Sequence, residues 1–364
     1  MLVASFLGGI VLLTIGAELL VRSASRLAAT AGISPLVIGL TVVAYGTSAP
    51  EFVVSLSSTL SGRPDVALGN VVGSNIFNVL FILGVSALII PLRVSQQLVR
   101  LDVPLMAGLS ILVLLMALDG RVGRIDGLFL TAGMIAYTVW AIRSSRKEQT
   151  AIREDYEAEF GVPDQPTTPG AIALNSLLLA AGLALLVLGS KWFVGAAVVI
   201  ARQFGVSELV IGLTIVAAGT SLPEVATSIM AAVRGERDIA VGNVVGSNLF
   251  NLMGVLGVSS LISVKGVIVP ASALSLDLPV MVAAAIATLP IFLTGHLIAR
   301  WEGWLLLGYY VAYTAYIVVM ATIPELSRSF AITMIGFVIP LTVITLAVSV
   351  IRARRETGSD EPTS

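Results

Sequence analysis

The sequence predicts an all-α polytopic membrane protein with two inverted-topology repeats of five transmembrane helices plus an extra C-terminal helix, about 10–11 spans in all. Three observations predict this fold class. Of the 364 residues, 57% are hydrophobic and only 12% are charged, whereas a soluble domain has about 25% charged residues. Apolar stretches of about 20 residues, long enough to cross a bilayer, recur along the chain. Two sequence motifs each occur twice, at one fixed spacing.

The apolar stretches divide the chain into two halves. The first half is 1–142 and the second is 171–322. Between them, 143–170 is the only long polar segment, and we predict a cytoplasmic, solvent-exposed linker there. The remainder, 323–364, is predicted to form an extra C-terminal helix and a tail. The predicted helices are 2–21, 35–60, 66–91, 101–118, 125–142, 171–200, 208–233, 239–264, 270–294, 302–322 and 329–351.

The charges of the loops predict the orientation and restrict the chemistry. With the N-terminus outside, fourteen Lys and Arg residues fall in inside loops and six in outside loops, and such residues favour the cytoplasmic side. We therefore expect a multi-pass protein of the plasma (inner) membrane with a cytoplasmic C-terminus.

The composition restricts the chemistry. The chain has no cysteine, which excludes disulfides and thiol chemistry. No fingerprint for nucleic acid is present, and we expect no cofactor.

The repeated motifs define the symmetry. Residues 37–51 match 210–224 at 12 of 15 positions, and 65–78 match 238–251 at 11 of 14, both with an offset of 173 residues. The repeat units, about 35–91 and about 208–264, cover the second and third and the seventh and eighth predicted helices. Five crossings separate them, so the two units must be inverted. Such repeats with matching helix breaks predict a secondary transporter whose site lies at the bilayer midplane.

Each repeat unit carries a helix-breaking element. Pro50 has no N–H and crowds the carbonyl of Gly46, itself a poor helix former. Pro223 and Gly219 repeat the arrangement. We expect each helix to kink at these positions. The backbone groups that are freed must then face protein or a wet cavity rather than lipid.

A glutamate follows each break, at Glu51 and Glu224. A charge at membrane depth costs at least a few kcal/mol, and no Lys or Arg lies in either unit's helices to pair with it. Each carboxylate is therefore protonated or bound to a cation. If the two units face each other, a single divalent cation neutralises both carboxylates, and protons compete for them.

The side chains around the two glutamates are oxygen donors. Such a set suits Ca²⁺, which accepts six to eight oxygen ligands, whereas zinc or copper would favour imidazole or thiolate. We expect Asn78 and Asn251 to act as ligands, and Asn75 and Asn248 to pack and support them. The other candidate donors are Thr47, Ser48, Ser74, Thr220, Ser221 and Ser247.

Three further acidic residues receive structural interpretations. Glu18 is predicted to pair with Arg22 four residues later, near a membrane face. Asp102 and Asp277 each precede a proline by two residues, which is typical of a helix start.

The segments GTSAPE and GNVVGSNIFN, with their counterparts GTSLPE and GNVVGSNLFN, resemble the two alpha-repeats of the sodium/calcium exchanger family, within the cation/calcium antiporter superfamily. The short linker resembles that of compact prokaryotic members. The resemblance implies that Glu51 and Glu224 are central acids shared by Ca²⁺ and Na⁺, and that the first and sixth helices slide against the core. It also implies an ion site lined by Thr47, Ser48, Ser74, Asn78, Thr220, Ser221, Ser247 and Asn251, completed by the carbonyls of Ala44 and Ala217.

One departure leaves the coupling ion open. Many sodium-coupled relatives carry Asp in one repeat where this chain has Asn251, so two formal acids remain here instead of three. The expected function is Ca²⁺/Na⁺ antiport, and H⁺/Ca²⁺ antiport is the alternative. A passive cation channel and an intramembrane hydrolase are two other classes. The hydrolase lacks its nucleophile–base pair, because no His lies near a candidate Ser and no paired Asp is present.

Overall fold

The computed structural model describes residues 2–160 and 169–323, together with positions 332, 339, 340, 342, 343 and 347. Within this part the protein is helical apart from four two-residue strands. The helices are α1 Leu2–Ala31, α2 Pro35–Thr47, α3 Ala49–Leu60, α4 Pro64–Ile89, α5 Leu98–Asp119, α6 Arg124–Phe160, α7 Pro169–Gln203, α8 208–219, α9 Leu222–Val233, α10 Arg237–Ile262, α11 Ala273–Leu293 and α12 Arg300–Thr322.

The number of membrane-spanning helices agrees with the predicted fold class. In the described ranges, eight helices are long and apolar enough to cross a bilayer, and the count rises to ten when each of two bent pairs is one span. The bent pairs are α2 with α3, at 46°, and α8 with α9, at 61°. Both breaks lie where the Gly and Pro pattern predicts them. Helices α4 and α10 lie in the core, and α1 and α12 are the least buried of the eight spans.

The contact between α1 and α7 shows the inversion directly. These helices occupy equivalent places in the two repeats, and they cross in opposite directions: Gly9 lies against Gly189, and Gly16 against Gly182. A Cβ atom on Gly16 would lie 2.8 Å from the carbonyl oxygen of Gly182. Only glycine permits this approach of the two backbones. These reciprocal contacts are consistent with the predicted inversion of the two repeats.

Four short strands repeat the symmetry outside the helices. Strand β1 (Leu92–Arg93) pairs antiparallel with β4 (Leu297–Ile298), and β2 (Arg121–Val122) pairs antiparallel with β3 (Val267–Ile268). β1 and β3 follow equivalent helices of the two halves, and β2 and β4 precede equivalent helices. Each ribbon thus joins one half to the other.

The structure extends some elements beyond the predicted bounds. Helix α6, predicted to end at 142, continues to Phe160, so the first part of the predicted linker is helical. Helix α1 continues to Ala31 instead of ending near 21. Residues 161–168 and most of the predicted helix 329–351 lie outside the described residues. At one of its described positions, Thr342 accepts a 2.6 Å hydrogen bond from the Tyr309 hydroxyl of α12.

The interpretation of Asp102 and Asp277 as helix-start residues is wrong. Both lie one turn inside their helices, in π-helical segments, and neither side chain caps a helix. Asp102 accepts a 2.9 Å hydrogen bond from the Tyr137 hydroxyl, and Asp277 accepts one of 2.8 Å from Tyr313. These acids therefore join helices of the same half. The Glu18–Arg22 pair is confirmed, and Glu18 also pairs with Arg234 at the end of α9.

Candidate ion site between the two helix breaks

The two glutamates lie in the first turn beyond each helix break. Helix α2 ends at Thr47 and α3 begins at Ala49, which places Glu51 in the first turn of α3. Glu224 lies in the first turn of α9 in the same way. Both are buried, with 0% and 1% of their surface exposed. The N-terminal ends of these helices favour negative charge, because their first N–H groups lack helical partners.

Each carboxylate is held by a serine from the opposite repeat. Ser48 donates to Oε1 of Glu224 at 2.8 Å, and Ser221 donates to Oε1 of Glu51 at 2.7 Å. The Ser221 hydroxyl also lies 3.2 Å from that of Ser74. The two breaks therefore meet, and they bring both acids to the same part of the core.

Four asparagines form a second crosswise set next to the acids. Asn78 donates from Nδ2 to Oδ1 of Asn248, and Asn251 donates from Nδ2 to Oδ1 of Asn75, both at 3.1 Å. Because their amide nitrogens are used in this way, Asn78 and Asn251 each keep Oδ1 free. Both lie in π-helical segments, Phe77–Ile82 and Asn251–Val255. Such π turns are frequent at functional sites.

Several oxygens of this cluster have no hydrogen-bond partner although they are buried. Buried polar atoms without a partner call for an explanation, and six of the fourteen such side-chain atoms in the described residues belong to this cluster. All six belong to residues that the sequence predicts as ligands, and two of them carry formal charge when ionised. They are Glu51 Oε2, Glu224 Oε2, Asn78 Oδ1, Asn251 Oδ1, Thr220 Oγ1 and Ser247 Oγ. A hard cation fits this donor set, since carboxylate, amide and hydroxyl oxygens are the ligands that it prefers.

The charge at the site comes from these two acids. In the described part of the chain, no group of three or more His, Cys, Asp and Glu side chains could hold a metal ion, and the ion pairs found there involve neither Glu51 nor Glu224. The formal charge is therefore −2 when both are ionised. A single divalent cation balances that charge.

The predicted backbone ligands do not behave alike. The Ala44 carbonyl is buried and already accepts from the Ser48 N–H at 3.0 Å and from the Thr47 hydroxyl at 3.2 Å. Ala217, its counterpart in the second repeat, is exposed.

The side chains of Thr47 and Thr220 also differ. Thr47 donates to Oδ1 of Asn243 at 3.0 Å, while the Thr220 hydroxyl makes no such bond to Asn70.

Sequence reasoning missed two asparagines that hold the glutamate-bearing helices. Asn70 donates to the Glu51 carbonyl at 3.1 Å and to Ser55 Oγ at 2.9 Å. Asn243 donates to the Glu224 carbonyl at 3.4 Å and to Ser228 Oγ at 2.9 Å. Both were present in the repeated GNVVGSN segment, at the same offset of 173 as the glutamates. Their retention in both repeats was the signal.

The chain also matches known proteins along most of its length. The profile of the family described as "Sodium/calcium exchanger protein" matches residues 1–143 and 174–319. The Alkalimonas amylolytica protein CaxA is 41% identical over 320 residues, which cover 86% of this chain and 98% of CaxA. The sodium/calcium exchanger MaX1 of Methanosarcina acetivorans is 33% identical over 338 residues, covering 84% of this chain and 95% of MaX1.

A solved structure gives the same result for the fold. The sodium-calcium exchanger NCX_Mj superposes with a TM-score of 0.73 at 31% sequence identity, over 87% of this chain and 98% of that one. Family profile, relatives and structure thus agree on one family, with which the inverted repeats are consistent. The chain belongs to the sodium/calcium exchanger family of membrane antiporters.

Proposed function

We propose that this protein is a secondary active antiporter that exchanges Ca²⁺ for Na⁺ by alternating access at the site between the two helix breaks. The observation that carries the proposal is the crosswise bonding of Glu51 to Ser221 and of Glu224 to Ser48. It brings two buried acids from opposite repeats to one place, with a second oxygen of each left unbonded.

The donor set determines which cation we assign. The two carboxylates neutralise one Ca²⁺, and amide and hydroxyl oxygens complete a coordination number of about six to eight. The proposed ligands are Glu51, Glu224, Asn78, Asn251, Thr47, Thr220, Ser48, Ser221, Ser74, Ser247 and the carbonyls of Ala44 and Ala217. The Ala44 carbonyl already accepts one hydrogen bond for each of its lone pairs, so it would ligate the cation only after the Thr47 hydroxyl turns away from it.

Exchange follows from the same charge balance. Leaving the two acids ionised without a cation in a dry site is costly, so the site favours conformational change only when it is loaded. Na⁺ ions that occupy the oxygens and balance the acids then substitute for Ca²⁺. The Na⁺ gradient supplies the driving force, and external Na⁺ moves in as Ca²⁺ moves out.

We assign the orientation from the loop charges. With the N-terminus outside, helix α8 begins at the outer face and α2 at the inner face, and the C-terminus is cytoplasmic. The excess of inside Lys and Arg supports this assignment.

Uptake of radiolabelled Ca²⁺ into proteoliposomes tests the function. The vesicles are loaded with Na⁺, K⁺ or protons in turn, and each outward gradient is applied alone. The proposal predicts Ca²⁺ uptake with the Na⁺ gradient and little uptake with the others. Equal uptake without any counter-ion gradient, accompanied by electrical current, indicates a channel and contradicts the proposal.

One observation favours a second candidate, H⁺/Ca²⁺ antiport. Both Asn78 and Asn251 are amides, so the site has two acids and a single Ca²⁺ uses all of its charge. Two protons balance the same two carboxylates without any further ligand. In the proteoliposome experiment, Ca²⁺ uptake with the proton gradient and none with the Na⁺ gradient assigns this function instead.

A further inference from the structure

The two gates of the molecule differ in the structure although their sequences repeat. We call the packing of α2 on α10 the first gate, and the equivalent packing of α8 on α4 the second gate. At the first gate, a Cβ atom on Gly242 would lie 2.9 Å from the Leu36 carbonyl oxygen, and one on Gly246 would lie 2.6 Å from the Leu40 Cα. At the second gate, Cβ atoms on the equivalent Gly69 and Gly73 would meet nothing within 4 Å.

The exposure of the two half-helices agrees with this difference. Ala44 in α2 is fully buried, whereas its counterpart Ala217 in α8 is exposed. Helix α8 also bends away from α9 by 61°, compared with 46° between α2 and α3. The first gate is therefore closed and the second gate is open.

Asn243, in α10, bonds to two other helices at the closed gate. Its amide nitrogen holds its own repeat, through the Glu224 carbonyl and Ser228 Oγ. Its Oδ1 accepts from the hydroxyl of Thr47, the last residue of α2, at 3.0 Å. Asn243 is fully buried. It thus ties the closing half-helix of the first repeat to the glutamate-bearing helix of the second.

Asn70 is prepared for the same role at the open gate. Its amide nitrogen already holds the Glu51 carbonyl and Ser55 Oγ. Thr220, the counterpart of Thr47, lies at the end of α8, and its buried hydroxyl makes no hydrogen bond to Asn70. The equivalent of the Thr47–Asn243 bond would run from the Thr220 hydroxyl to Oδ1 of Asn70. This bond is absent while the second gate is open.

We propose that Asn243 and Asn70 are alternating latches, positioning residues that each hold one gate closed by accepting a hydrogen bond from the threonine of the opposite repeat. Closing the second gate brings α8 onto Gly69 and Gly73 and forms the Thr220–Asn70 bond, while the Thr47–Asn243 bond breaks. The donor side of each asparagine does not change, so each glutamate keeps its backbone anchor in both states. The latches rest on the proposed alternating access but not on the identity of the ions.

Cysteine labelling tests the latches, because the chain has no cysteine of its own. Leu40→Cys reports on the first gate and Leu213→Cys, its counterpart in α8, on the second. The rate of maleimide labelling is measured in purified full-length protein in detergent, at one fixed Ca²⁺ concentration, because the proposed function allows only the loaded site to change conformation. Each reporter is combined with Asn243→Ala or with Asn70→Ala.

The two alanine variants should shift labelling in opposite directions. Losing one hydrogen bond changes a two-state equilibrium about 2- to 10-fold. Asn243→Ala should raise the labelling rate at 40 and lower it at 213 by that factor. Asn70→Ala should lower the labelling rate of the cysteine at position 40. The cysteine at position 213 should label at least as fast as it does without this substitution. If either variant raises labelling at both positions, the asparagine only stabilises the fold, and the latch is refuted.

Two further variants separate the latch from general packing. Thr47→Val keeps the side-chain shape but removes the hydroxyl donor, so it should reproduce the labelling pattern of Asn243→Ala. If labelling of Thr47→Val equals that of the protein with Thr47, the proposal is overturned. Gly73→Ala clashes with nothing in this structure but should block closure of the second gate. Its expected result is high labelling at 213 and loss of Ca²⁺ uptake, and normal uptake contradicts the closure that we propose.

These measurements distinguish the latches from the proposed ion exchange. If Asn243→Ala and Asn70→Ala shift labelling in opposite directions but only protons drive Ca²⁺ uptake, the latches are supported and the coupling ion is H⁺ instead of Na⁺. If Na⁺ drives uptake but the two variants do not shift labelling in opposite directions, the exchange is supported and the latches are refuted.

Discussion

The Ser48 hydroxyl of the first repeat donates a 2.8 Å hydrogen bond to the Glu224 carboxylate of the second. Its symmetry mate, from Ser221 to Glu51, measures 2.7 Å. Each bond uses one carboxylate oxygen and leaves the other without a partner. The acids are therefore oriented by the opposite repeat and still have oxygens available for a cation.

Removing either acid should abolish Ca²⁺ transport. Glu51→Gln and Glu224→Gln each leave a single negative charge for a divalent cation, and losing one member of a buried charge pair costs about 2–5 kcal/mol, or at least about 30-fold in affinity. Initial rates of Ca²⁺ uptake in proteoliposomes measure the effect. Asp119→Asn, at an exposed acid paired with Arg121, is the matched control and should transport normally.

The outcome also depends on folding. Both glutamine variants should elute as the wild type does from a size-exclusion column, because Gln keeps the shape and can still accept from serine. A folded variant that transports Ca²⁺ at the normal rate would show that the carboxylate is not a ligand.

Adding a third acid should change the dependence on Na⁺. Asn251→Asp raises the formal charge of the site to −3 when ionised, so one Ca²⁺ no longer balances it and a monovalent cation is favoured beside it. We expect Ca²⁺ uptake to respond to lower Na⁺ concentrations than in the wild type. Asn175→Asp, in α7 and bonded to the Ala171 carbonyl, is the control. If Ca²⁺ uptake by Asn251→Asp and by the wild type responds to the same Na⁺ concentrations, position 251 lies outside the ion site.

Ca²⁺ transport should fall as the solution becomes more acidic, with equal pH on both sides of the membrane. Protonation of Glu51 or Glu224 removes charge that Ca²⁺ needs, so protons act as competitors and higher Ca²⁺ concentrations should restore the rate. The sign is therefore inhibition at low pH and recovery at high pH. Inhibition by acid that no Ca²⁺ concentration relieves would point to a titrating group elsewhere.

A serine outside the predicted site should support the break of α8. Pro223 cannot donate to the Gly219 carbonyl, and Ser190 of α7 donates to it instead at 2.6 Å. Ser190→Ala leaves that buried carbonyl unsatisfied, at a cost of about 1–3 kcal/mol, and should lower the melting temperature in detergent. Position 17 is the equivalent in α1, where alanine is native. Equal melting temperatures for Ser190→Ala and the wild type would contradict this support role.

The sequence was sufficient for the architecture because its signals are local and doubled. Apolar length predicted the spans, and Pro50 and Pro223 predicted the breaks, since a proline inside a helix removes a hydrogen bond wherever it occurs. The odd number of crossings between the repeats required their inversion. The gathering of Glu51 and Glu224 at one place then followed from symmetry.

Other features depend on long-range contacts that no single segment encodes. The helical continuation of α6 as far as Phe160 was not apparent, because a polar sequence forms a linker or a solvated helix with similar ease. Tyr137 lies 35 residues from Asp102, so the local Asp and Pro pattern suggested a cap instead. The difference between the two gates could not be predicted at all, because equivalent sequences are compatible with either gate being closed.

Equilibrium binding of radiolabelled Ca²⁺ to the purified protein shows whether two carboxylates from opposite repeats share one ion. The account predicts one Ca²⁺ per wild-type chain, and no binding in the same concentration range to Glu51→Gln or to Glu224→Gln. Two ions per chain, or a full site that survives in either variant, would contradict it.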